Sequence, residues 1–89
     1  IRILSPPEEA GKHEVYELLI DVGGMLDSQP HTRGAREHLT VLEGTVELRS
    51  GEAVGTVHAG DTARYPADVP HRIAAADGPV RAFLVVQDA

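Results

Sequence analysis

The stretch PHTRGAREHLTVLEG, residues 30–44, decides the fold. A short polar run follows Pro30, and then polar and apolar residues alternate up to a glycine. With the two-residue period of a strand, Glu37, Leu39 and Val41 share one face, and His38, Thr40 and Leu42 share the other. The first set reads as core-facing except for its opening carboxylate. A carboxylate on a buried row is costly unless it is paired, protonated or bound to a cation. The sequence therefore has to supply partners for Glu37. Glu43-Gly44 then reads as a hairpin turn into TVELRS, residues 45–50.

Similar short segments lie on either side. EVYELLIDV, residues 14–22, is expected to be a strand with Tyr16, Leu18 and Ile20 on one face and Glu17 and Asp21 on the other, ended by Gly23-Gly24. SPPEEAG, residues 5–11, reads as a loop. After Gly51, AVGTVHAGD forms a short strand and a Gly60-Asp61 turn. TARYP is a strand ended by Pro66, and PADVPH, with two prolines, is a loop. HRIAAADG carries a strand into an Asp77-Gly78 turn, and PVRAFLVVQ is a closing strand rich in Val, Leu and Phe. Seven or eight short strands at such spacing predict an all-β fold, a small antiparallel jelly-roll barrel. No segment carries an apolar helical stripe with caps. Phosphate-binding loops, dinucleotide glycine patterns and Gly-x-Ser-x-Gly elbows are absent from the sequence.

The 89 residues make one domain, 1–89, with a modest core. The formal net charge is −6, and Lys12 is the single lysine, so these residues are poorly suited to bind nucleic acid phosphates themselves. The chain has no cysteine, which excludes disulfides and thiol nucleophiles and fits a cytoplasmic protein. No apolar run approaches the ~20 residues of a membrane-spanning helix.

Of the five histidines, His13, His38 and His58 read as ordinary surface or packing residues. His31 and His71 differ, because each follows a proline that stiffens the approach to a strand. His71 shares its face with Ile73 and should point inward with it. His31, Glu37 and His71 then form a two-histidine, one-carboxylate set of the kind that holds a divalent metal on three sides.

These residues fall in a pattern that resembles the cupin superfamily of small jelly-roll barrels. Gly24, His31, Glu37 and Gly44 stand where the first cupin motif has them. Gly60, Asp61, Pro66, Pro70 and His71 match the second. The two motifs span more than half of the chain. Arg33 stands where the family carries a second histidine of the His-x-His pair, and Ala74 and Ala75 stand where an asparagine is frequent. A guanidinium stays protonated and does not ligate metal. The resemblance therefore implies at most three protein ligands for a divalent Fe, Ni, Mn or Zn.

HTRGAREHLTVLEGTVEL followed by AGDTARYPADVPHRI is similar, more narrowly, to the C-terminal cupin domain of regulators that carry an XRE-type helix-turn-helix. That resemblance implies a sensor domain that binds a small-molecule effector inside the barrel, with DNA bound only by a domain upstream of Ile1. Strand parity places Leu39, Ala63, Tyr65 and Ile73 in the lining, and Arg33 at the rim beside Glu37. No residue is assigned as catalytic. The alternative is a small metal-dependent cupin enzyme of dioxygenase or isomerase type. The closing strand is apolar on both faces from Phe83 to Val86, which suggests a covered outer face and a homodimer.

Overall fold

The computed structural model describes residues 1–88. Its strands are β1 (Arg2–Ile3), β2 (His13–Ile20), β3 (Met25–Ser28), β4 (Arg36–Glu43), β5 (Thr45–Ser50), β6 (Ala53–His58), β7 (Thr62–Pro66), β8 (His71–Ala74) and β9 (Val80–Gln87). A single 3-10 turn, Pro7–Glu9, lies inside the expected N-terminal loop. Two antiparallel sheets face each other. One has the order β1-β2-β9-β4-β7 and the other β3-β8-β5-β6. This is the expected jelly roll.

The alternation read from the sequence holds along the main strands. Glu37, Leu39 and Val41 are buried on β4, and Leu18 and Ile20 on β2, with Tyr16 packed against the same core. Val80, Ala82, Leu84 and Val86 line the inner face of β9, and Val46, Leu48, Val57 and Ile73 close the core from the other sheet. Burial of these aliphatic side chains drives the two sheets together, each contributing about 1.5–3 kcal/mol relative to exposure.

Boundaries and number differ from expectation in small ways. The first long strand runs over His13–Ile20 rather than 14–22, because Gly24 N donates to Asp21 O at 2.8 Å and turns the chain earlier. β1 and β3, with two and four residues, had no clear local signal. β3 exists because its partner β8 supplies the register Leu26↔Ile73 and Ser28↔His71.

Two turns place the motif residues. Gly44 sits at φ 86°, in the left-handed region, next to an irregularity between Val41 and Glu43 in the β4–β9 pairing. A Cβ there would collide with the Pro79 carbonyl oxygen and press on Val80. Near the site, three backbone bonds tie the loops together. His31 N donates to Ala67 O at 2.8 Å, Ala67 N to Ala35 O at 2.9 Å, and Gly51 N to Pro70 O at 2.8 Å. The loop bearing His31 is thereby fastened to the loop that leads into His71.

Candidate functional site

Three elements bring the polar residues together. Glu37 opens the inner row of β4, His71 opens that of β8, and His31 hangs from the loop between β3 and β4. The Glu37 and His71 side chains are 2% and 1% exposed, and His31 is 36% exposed. The site thus has a buried floor with one imidazole at its edge.

Both imidazoles reach the same carboxylate oxygen. His31 Nε2 lies 3.1 Å from Glu37 Oε2, and His71 Nε2 lies 2.9 Å from it. The other oxygen, Oε1, accepts the Tyr65 hydroxyl at 2.6 Å. This pairing follows from strand register, since Glu37 sits opposite Tyr65 across β4 and β7. Burial, and then the nearby Glu37 charge, push the Tyr65 phenol well above the usual range, so it is a neutral donor.

The His71 ring has a fixed orientation. Its Nδ1 lies 2.8 Å from the Val69 carbonyl oxygen, which can only accept, so Nδ1 carries a hydrogen. In a neutral ring Nε2 then presents a lone pair to Glu37 Oε2, acceptor against acceptor. A proton or a cation between them removes the conflict.

The donor set suits a divalent ion. His31, Glu37 and His71 offer ligand atoms that all lie within 4.8 Å of one another. Donors bound to one small ion at ~2.1 Å lie about 3 Å apart when at right angles, which matches the 2.9 and 3.1 Å separations. The Val69 carbonyl and the Tyr65 hydroxyl orient the histidine and the carboxylate, as outer partners do at metal centres.

Beside these donors opens a cleft of about 330 Å³. Its walls are Tyr16 and Leu18 of β2, Leu26 of β3, and Leu84 and Val86 of β9. Glu37 and His31 also face it, and Ile1, Glu14, Asp27 and Ser28 complete the lining. The lining assigned from parity lies elsewhere. Leu39 and Ile73 are packed into the core and Ala63 against it, while Tyr65 reaches the site through Glu37. The strand order that sets β2 and β9 beside β4 was not visible locally, so Tyr16, Leu18, Leu84 and Val86 were missed as lining, although their inward parity was readable.

Arg33 also departs from expectation. It is exposed in the turn after His31 and does not line the cleft, and among the described residues it forms no ion pair with Glu37. The turn directs the chain outward here, where Gly34 N donates to Asp68 Oδ2 at 2.9 Å. Histidines and tyrosine, not the guanidinium, are the partners of the buried carboxylate.

The cupin-domain family Cupin_2 matches residues 16–86, which contain both motifs. The chain belongs to this family. The cupin domain is similar to the Cupin_2 domain of an XRE family transcriptional regulator from Enterobacter cloacae, with 24% identity, 99% of this chain and 94% of that one covered, and a TM-score of 0.86. It is also similar to an HTH_3 family transcriptional regulator from Vibrio cholerae, at 25% identity and TM-score 0.87, covering 98% of this chain and 49% of that one. Over 58 residues, 65% of this chain, it is 31% identical to the HTH-type transcriptional regulator SutR of Escherichia coli. The cupin domain spans about a third, 33%, of the length of that curated relative. Among the described residues no helix is long and apolar enough to cross a membrane.

Proposed function

We propose that this cupin domain is the effector-binding part of a cytoplasmic DNA-binding regulator, with a small molecule received in the cleft beside His31 and Glu37. The observation that carries this reading is the cleft itself, with apolar walls running down to a buried polar floor. Small-molecule sites combine such walls with a few placed polar groups. The likeness to helix-turn-helix regulators supports the same reading. DNA contact would come from a helix-turn-helix domain outside these residues, because the net charge of −6 disfavours it here. An effector acts only through its different affinity for two states of the regulator.

His31, Glu37 and His71 would hold a divalent Fe, Ni, Mn or Zn, if one is bound. Such an ion would supply a Lewis-acidic anchor for an effector atom at the floor. The three-donor geometry also favours a second reading, a metal-dependent cupin enzyme of dioxygenase or isomerase type, since such a site leaves coordination positions open.

A methyl-NMR screen of small molecules tests the first reading. Binding should move the Leu18, Leu84 and Val86 methyl signals, and in the full-length regulator the same compound should change operator affinity. Turnover of a compound by the metal-loaded protein, with no effect on DNA binding, would put the enzyme reading first.

A further inference from the structure

We propose that the cleft takes a small organic cation, an ammonium group carried on an apolar alkyl or aryl body. This rests on the reading of the cleft as the effector site, and adds the chemical class of the effector. Apolar walls from Tyr16, Leu18, Leu26, Leu84 and Val86 favour an apolar body by releasing water on contact. The polar part of the lining sets the sign of the head group. Three acidic residues belong to its lining, Glu14, Asp27 and Glu37, and among the described residues no lysine or arginine does.

The three carboxylates are not equivalent. Asp27 is neutralised by Arg72, whose Nε and Nη2 donate to its two oxygens at 2.5 and 3.1 Å. Glu37 is shared by two imidazoles and a phenol. Glu14 has no ion-pair partner among the described residues and is half-buried on β2. Strand parity puts it on the same face as Tyr16, two positions on. Burial, then the Glu14 charge and a hydrogen bond to Glu14, push the Tyr16 phenol up, and the Asp88 and Glu37 charges act in the same direction. Among the described residues no lysine or arginine is set against the negative field at this wall of the cleft. An ammonium at Glu14 makes a charge-assisted hydrogen bond and gains the field. The Tyr16 ring on the same wall also favours a cation. A carboxylate or phosphate head would meet the same field with no lysine or arginine of the described lining to offset it.

Three six-carbon probes of nearly equal shape separate the classes: hexylammonium, 1-hexanol and hexanoate. Each is titrated into the protein while the methyl signals of Leu18, Leu26, Leu84 and Val86 are followed. Hexylammonium should bind about tenfold or more tightly than either of the others, the preference expected of one charge-assisted pair. Glu14→Gln should remove that preference and leave hexanol binding as it was. Equal affinity for all three probes overturns the cation assignment and leaves the cleft standing as a site. Tighter binding of hexanoate overturns it as well, as does an ammonium preference that survives Glu14→Gln. If no probe moves the cleft methyls, both the cation assignment and the effector reading fall.

Discussion

The Tyr65 hydroxyl donates to Glu37 Oε1 at 2.6 Å inside the barrel, on the side of the carboxylate away from the two imidazoles. The phenol occupies one oxygen and leaves Oε2 as the point where both Nε2 atoms converge. Tyr65 is 4% exposed, so water does not readily replace its hydroxyl. Tyr65→Phe keeps the ring packing and strips a buried acceptor of its donor. It should cost about 1–3 kcal/mol in urea unfolding, the usual penalty for an orphaned buried polar group. A loss below a few tenths would mean that the bond contributes nothing net.

Metal binding is the direct test of the converging donors. Zn(II) or Ni(II) titrated by calorimetry into chelator-treated protein should bind at one equivalent. His71→Ala should weaken binding by at least about tenfold, since even outer-sphere changes have effects of that size. Arg33→Ala should change the affinity by no more than about threefold, because an exposed charge with no partner at the site is screened by salt. A large effect of Arg33→Ala together with no effect of His71→Ala would reverse the assignment.

Strand parity alone reads much of this site. The inward row Glu37, Leu39, Val41 and the pair His71, Ile73 follow from a period of two, and the structure buries them together. Parity names a face but not a neighbour. That Tyr16 stands opposite Leu84, and Glu37 opposite both Tyr65 and Val86, depends on pairings distant in sequence. The cleft lining was misplaced for that reason. The position of Arg33 was misjudged for a different one. It lies in a turn, where neither period applies.

Gly44 offers a sharp test of the fold. Its φ of 86° strains any residue with a side chain, and a Cβ would strike the Pro79 carbonyl oxygen. Gly44→Ala should destabilise by more than about 2 kcal/mol, combining backbone strain with the collision. Gly55→Ala on β6 is the control, since its Cβ would meet nothing within 4 Å, and it should be close to neutral. Equal effects of the two changes in chemical denaturation would contradict the turn geometry.

The Asp27–Arg72 pair gives a pH dependence of defined sign. The Arg72 guanidinium holds the Asp27 carboxyl below its ordinary value. A carboxyl with a lowered value in the folded state stabilises the fold above its ordinary titration range. That contribution is lost as the pH falls through the folded value. The pair is exposed, so the effect on stability is small. NMR titration should show Asp27 protonating at lower pH than a free aspartate, and Arg72→Gln should bring it back up. No upward movement would mean that the pair does not persist in solution.

Assembly is the last prediction, and it concerns the outer face of the five-stranded sheet. Register places Val15, Val85 and His38 in one row across β2, β9 and β4, and Glu17, Phe83 and Thr40 in the next. Phe83 and Val85 are half-buried at the centre of the sheet, and Leu19, Leu4 and Leu42 are 66%, 42% and 36% exposed. Apolar residues of this kind, interrupted by the Glu17–Arg81 pair at 3.1 Å, have the composition of a contact surface. The expected partner is a second copy, seated sheet on sheet. Sedimentation velocity at about 100 μM should show a dimer. Val85→Glu with Leu19→Glu should yield a folded monomer with unchanged circular dichroism, because both side chains point away from the core. A wild-type monomer at that concentration rejects the dimer. A dimer that survives both substitutions moves the interface to the other sheet.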